Sequence, residues 1–198
     1  MKLNDLNPVQ QEAVKAMGGP ILIFAGAGSG KTRVLTYKIA YLIEEVGLPP
    51  EKILAVTFTN KAAQEMKNRV SELLTIDTLK MNIGTFHSIC ARMLRFEIPR
   101  LGYNRDFGIY DQGDSRLLVK EIIQSLNLDI KTFAPNAYQN LISGKKNQML
   151  SPENVVEYAE GYVDEKLAQI YIEYQRALKK NNALDFDDLL LLPIQLFK

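Results

Sequence analysis

A lysine followed by a hydroxyl residue, at the end of a run of small residues, is suited to gripping a polyphosphate. The chain carries that combination as Ala25-Gly26-Ala27-Gly28-Ser29-Gly30-Lys31-Thr32. Glycines at 26, 28 and 30 let backbone N–H groups turn inward around an anion. The Lys31 ammonium would then reach the β- and γ-phosphates of a nucleoside triphosphate, and the Thr32 hydroxyl would face Mg²⁺. The generic phosphate-loop pattern begins with Gly, whereas here the first position is Ala25, a small residue where a strand is expected to close.

Such a loop works only between a strand and a helix. Ile21-Leu22-Ile23-Phe24 is an apolar run that predicts the strand, and Val34, Leu35, Lys38, Ile39, Leu42 and Ile43 recur at helical spacing after it. The helix N-terminus would add the positive end of its dipole to the loop. Upstream, Asn7-Pro8 reads as N-cap and first helical residue, with Val9, Ala13, Val14 and Met17 on one face, before Gly18-Gly19-Pro20 ends the helix. Gln10 on this helix pairs a donor with an acceptor, the complement of adenine's N6-H/N7 edge; a solvated side chain is the plainer reading of the same residue.

Downstream, Ile53 to Phe58 predicts a second strand, Thr59-Asn60 a cap, and Lys61 to Leu74 a helix with Ala62, Ala63, Met66, Val70 and Leu73 inward. Met81-Asn82-Ile83 predicts a third strand, running into Gly84-Thr85-Phe86-His87 and a helix through Phe96. Strands alternating with helices imply an α/β fold with a parallel sheet, and ligands gather at the carboxyl ends of such strands. The phosphate loop, Thr57–Asn60 and Gly84–His87 all fall at that edge. From residue 111 the pattern changes to helices, over 113–125, 135–143, 152–159, 164–180 and 185–197. The expected division is therefore an ATP-binding core at 1–110 and an all-helical subdomain, appended or inserted, at 111–198.

Bulk properties narrow the classes. A chain of 198 residues with 46% hydrophobic and 24% charged residues fits a water-soluble globular protein. No apolar run reaches membrane-spanning length, and the N-terminus lacks a signal-peptide core, so no membrane partner and a cytoplasmic location are expected. Cys90 is alone, which excludes an internal disulfide. Net charge is only +1, but residues 1–110 hold fourteen basic against ten acidic side chains and the remainder ten against thirteen. That asymmetry places any polyanion site mainly on the first half.

An ATPase of this kind also needs an acidic residue ending another core strand, to hold Mg²⁺, and a carboxylate to activate water. No strand-length apolar run ends in Asp-Glu. Phe107-Gly108-Ile109-Tyr110-Asp111 is the nearest candidate, with a Gly interrupting it, and Asp185, Asp187 and Asp188 open a helix, where carboxylates serve the dipole. The expectation is that further core strands lie beyond the chain end.

Five segments occur in one order: Leu6 to Val14, Ala25 to Leu35, Thr57 to Ala63, Gly84 to Ser88 and Leu184 to Leu189. Together they resemble the successive motifs of the UvrD/PcrA/Rep-type superfamily 1 DNA helicases, from end to end of the chain. The resemblance implies a RecA-like P-loop core with a helical insertion, in an ATP- and Mg²⁺-dependent helicase that moves 3′→5′ on DNA. It implies that Gln10 reads adenine, Arg33 packs on the base, and Phe58, Thr59, Asn60, Lys61, Thr85 and His87 meet single-stranded DNA. The implied partners are single-stranded DNA, single-strand/duplex junctions and a second RecA-like domain of the same polypeptide. The helicase part of a helicase–nuclease subunit, or a non-hydrolysing nucleotide-gated DNA-binding module, would carry the same motifs. Lys145-Lys146 is read as a basic loop, a further candidate for phosphate contact.

Overall fold

The computed structural model describes residues 3–74 and 81–198. The chain forms two compact units, Met1–Ile89 and Cys90–Lys198, so the break falls ahead of the expected one at 110/111.

Unit one begins with α1 (Pro8–Lys15), which starts where the sequence places it. The Asn7 side chain accepts from the Gln10 backbone N–H, the Gln10 side chain accepts from the Asn7 N–H, and Pro8 needs no acceptor. Helix α2 (Lys31–Glu44) starts at Gly30, whose φ of 88° is left-handed. Strand β1 (Leu54–Thr57), α3 (Asn60–Leu74) and β2 (Asn82–Thr85) then form one βαβ unit. The strands pair in parallel from Leu54↔Asn82 to Thr57↔Thr85. Ile39, Ala40, Ala55, Met66, Val70 and Ile83 bury one core, and Leu6, Val14, Val34 and Tyr37 another. Each large side chain so buried contributes about 1.5–3 kcal/mol.

The strand expected at Ile21–Phe24 does not form. These residues are irregular and exposed, Leu22 at 77% and Phe24 at 89%. An unbroken apolar run suits a strand covered on both faces, and that state needs ladder partners on its edges. The sheet of unit one, among the described residues, is two-stranded and pairs only β1 with β2. The expected three-stranded sheet is thus reduced to two.

The second half of the chain also differs from expectation. Helix α4 (Phe86–Glu97) contains the division between the units. Unit two continues with β3 (Gly108–Tyr110), α5 (Gln112–Ser125), α6 (Pro135–Asn147), α7 (Pro152–Glu157), α8 (Tyr162–Lys180), β4 (Ala183–Asp185) and α9 (Phe186–Leu196). The helices lie close to the expected ranges, but β3 and β4 form a parallel pair, Gly108↔Ala183 to Tyr110↔Asp185, so this unit is not all-helical. Gly108 does not interrupt the strand; a Cβ there would sit 3.9 Å from the Ala183 Cβ, an ordinary contact. Asp111 ends β3 as the N-cap of α5 and accepts from the Asp114 N–H. Lys145 and Lys146 belong to the last turn of α6 rather than to a loop, and Lys146 is 1% exposed. The Asp-Glu dipeptide Asp164-Glu165 lies in the first turn of α8, not at a strand end.

Candidate functional site

Residues 18–29, which lead into the glycine-rich loop, are exposed throughout, so few contacts set the loop's shape. Gly28 (φ 75°) and Gly30 (φ 88°) take left-handed conformations that a side chain would resist by about 1–2 kcal/mol. Ser29 Oγ donates to the Gly26 carbonyl at 2.7 Å. Lys31 Nζ folds back and donates to the carbonyls of Ala25 (2.7 Å) and Gly26 (2.6 Å). Both acceptors are neutral, and an anion is the stronger acceptor for an ammonium.

The backbone continues directly into α2, where the Val34 N–H makes the first helical bond to the Gly30 carbonyl. The N–H groups of a first turn have no acceptor within the helix, and they carry the positive end of its dipole. Thr32 and Arg33 are exposed there, with the Arg33 guanidinium 5.6 Å from the centre of the Tyr37 ring. Gln10 comes to the loop from α1: its Nε2 donates to the Ser29 carbonyl at 3.1 Å. A Cβ at Gly30 would fall 2.9 Å from that same nitrogen, so any side chain there would displace the Gln10 carboxamide. The donor set of loop amides, ammonium and hydroxyl fits a magnesium-bound triphosphate.

The two paired strands end in register, Thr57 beside Thr85, so Phe58 and Phe86, the next residue after each, emerge at one edge. Phe58 follows β1 and is 93% exposed as a residue. Phe86, the first residue of α4, brings its ring centre within 6.1 Å of Phe58 at an interplanar angle of 49°. Thr59 Oγ1 accepts from the Ala62 N–H (3.1 Å) and caps α3, leaving Asn60 and Lys61 exposed in its first turn. Thr85 and Ser88 cap α4 reciprocally: Thr85 Oγ1 accepts from the Ser88 N–H, and Ser88 Oγ from the Thr85 N–H. His87 is exposed beside them. Gly84 is fixed by space, since a Cβ would meet Ser88 Oγ at 2.6 Å.

The structure thus joins Gln10 to the phosphate loop and the two strand-end segments to each other. It withdraws Lys146, whose Nζ donates to Asp185 Oδ2 and Asp188 Oδ1, each at 2.7 Å. Burial alone would push this ammonium down; the carboxylates of Asp188 and Asp185 outweigh it and hold it above its ordinary value. Asp188 is shifted upward, because burial and the neighbouring Asp185 carboxylate outweigh the pull of Lys146. Tyr174 donates to Asp185 Oδ2 at 3.0 Å, which ties α8 into the same cluster. Phe86 and this cluster escaped sequence reasoning. The signal for the cluster was the Asp185-x-x-Asp188 spacing of a capping box; the signal for Phe86 was its position directly after a strand end. A cavity of about 900 Å³ in unit two is lined by Tyr103, Tyr171, Gln175, Lys179 and Leu192, and none of the predicted nucleotide or DNA residues lines it.

Comparison with known proteins gives the family of the chain. Residues 6–198 match the family described as UvrD/REP helicase N-terminal domain. The chain is 51% identical over 195 residues to the ATP-dependent DNA helicase PcrA of Bacillus subtilis (strain 168), covering 98% of this chain and 26% of that protein. Against the ATP-dependent DNA helicase PcrA of Staphylococcus aureus (strain Mu50) it is 46% identical over 196 residues, 99% of this chain and 27% of the relative. The chain therefore spans about a quarter of the length of the curated relatives it matches. With almost every residue inside that match, the chain belongs to the UvrD/REP helicase N-terminal domain family.

Proposed function

We propose that this chain carries the nucleotide grip and part of the single-strand track of an ATP-driven DNA helicase moving 3′→5′. The observation that carries the reading is the left-handed Gly28/Gly30 loop entering α2, with Lys31 folded over it and Gln10 alongside. On this reading the loop amides and Lys31 hold the triphosphate, Thr32 is the Mg²⁺ ligand, Gln10 reads adenine and Arg33 packs on the base. Bound ATP supplies the phosphoanhydride whose cleavage powers movement. The protein's part is to orient that group.

Phe58 offers a stacking face to a nucleobase, while Thr59, Asn60, Lys61, Thr85 and His87 offer polar and basic contacts to sugar and phosphate. Ile21–Phe24 supports a RecA-like core with further strands, because an exposed apolar run of that kind suits a covered central position. The second RecA-like domain would then close on the nucleotide, and unwinding would need both. A DNA motor of this type works in the cytoplasm; among the described residues no helix is long and apolar enough to cross a membrane.

The test is binding of a fluorescent ATP analogue, with and without Mg²⁺, to the wild-type chain and to Lys31→Ala. Magnesium-dependent binding that Lys31→Ala loses supports the reading. Equal affinity in the two proteins overturns it.

A further inference from the structure

We infer that Gln10 is a positioning residue for the phosphate loop as well as a reader of the base. The inference rests on the nucleotide site proposed above and adds a second duty for one of its residues. The segment from Gly18 to Ser29 is exposed, so the loop is anchored by few bonds. At its far end the loop is continuous with α2; at its near side the long-range tie is Gln10 Nε2 to the Ser29 carbonyl, 3.1 Å across nineteen residues of sequence.

That tie is well founded. Gln10 belongs to the reciprocal cap of α1, where its Oε1 accepts from the Asn7 N–H at 3.1 Å. Helix α1 is itself seated on α2, with Val14 packed among Leu6, Val34 and Tyr37. The carboxamide is thus held at both ends, and the Asn7 N–H and Ser29 carbonyl fix which end is nitrogen and which is oxygen.

A carboxamide has two N–H protons and two oxygen lone pairs. One of each is used by Ser29 and Asn7, and one N–H and one lone pair remain. That is the pair adenine's N7 and N6–H require. Base recognition and loop support therefore do not compete. Gln10 braces the loop whether or not a base is present, so its removal weakens binding of a ligand that has no base.

The experiment measures affinities of the full chain for ATP and for inorganic tripolyphosphate in excess Mg²⁺, by calorimetry, for wild type, Gln10→Ala and Asn7→Ala. Loss of one neutral hydrogen bond corresponds to roughly a twofold to tenfold change in affinity. Gln10→Ala is expected to weaken tripolyphosphate by that factor and ATP by more. Asn7→Ala, which removes the side-chain cap and leaves the Gln10 side chain in place, is expected to lower the melting temperature with tripolyphosphate affinity within twofold of wild type. Unchanged tripolyphosphate affinity in Gln10→Ala overturns the brace and leaves the nucleotide site standing. An equal loss in Asn7→Ala also overturns it, by assigning the effect to the cap. No tripolyphosphate or ATP binding by wild type removes the nucleotide site itself, and the brace with it.

Discussion

Replacing Phe58 by alanine separates single-strand binding from folding more cleanly than any other change. The residue is 93% exposed, and the near aromatic neighbour of its ring is Phe86 at 6.1 Å, so the folded chain loses little more than one tilted ring contact. Such contacts are worth about 0.5–1.5 kcal/mol when buried, and solvent exposure places this one at the low end. Base stacking on an aromatic platform is worth about 1–3 kcal/mol by alanine substitution, hence a loss of roughly 5- to 150-fold in affinity for single-stranded DNA. The ring carries no charge, so the dependence of log Kd on log salt should keep its wild-type slope. Lys61→Ala should instead lower that slope by about 0.7, one phosphate contact on a single strand. Fluorescence anisotropy of a labelled oligothymidine, titrated with the full-length protein from 50 to about 200 mM salt, reads both quantities. A Phe58→Ala affinity within twofold of wild type, or an altered salt slope, would refute the stacking assignment.

Lys31→Ala removes two bonds to exposed loop carbonyls and should leave the melting temperature nearly unchanged, while nucleotide affinity falls about 10- to 150-fold, the worth of a charge-assisted bond to phosphate. Retained affinity in an equilibrium binding titration would count against the loop. Lys146→Ala strands the Asp185 and Asp188 carboxylates in the interior and should destabilise the chain by about 3–5 kcal/mol, read from urea unfolding monitored by circular dichroism. A loss below about 1 kcal/mol would mean the cluster is hydrated after all. Alkali should act in the same place: burial pushes the Tyr103 hydroxyl up to about 12, that of Tyr171 higher, and Lys146 is held above its ordinary value. The unfolded chain releases these protons first, so the native state binds more of them and stability falls as pH rises. The melting temperature should drop steadily from about pH 9 to about pH 11, and a flat profile would contradict the assignment.

Much of the fold was legible because its starts and stops are local. Asn7-Pro8, Gly30, Thr59 and Asp185 each set a helix start within three residues, and the helices from α3 onward fall close to their expected ranges. What failed depends on residues far apart in sequence. Ile21–Phe24 has strand composition, but a strand is completed by its neighbours, and composition does not say whether they are present. The β3/β4 pair joins residues more than seventy positions apart through three-residue strands, too short for any periodicity to register. Lys146 failed for the same reason: a lysine after another lysine reads as solvated until Asp185 and Asp188 meet it from another element.

The candidate site obeys a different rule from the core. Most of its side chains are exposed, with Gln10 and Thr85 half-buried, and the backbone beneath several of them is fixed by a cap. Phe58 precedes the Thr59 cap, and Phe86 and His87 lie between Thr85 and Ser88, which cap each other. A cap contributes roughly 1 kcal/mol whether or not the neighbouring side chain is buried. Exposed groups that must meet a ligand in one geometry can therefore be placed without a core around them. For this reason the motifs of the site alternate small polar capping residues with the residues that face outward. By the same reasoning, Ser88→Ala, at a capping residue that is not itself assigned a DNA contact, should weaken DNA binding through Phe86 and His87. Loss of affinity should then track loss of the α4 cap, seen as faster amide exchange at Thr85, whose N–H loses its acceptor. Faster exchange with unchanged affinity would show that the cap holds the helix but not the site.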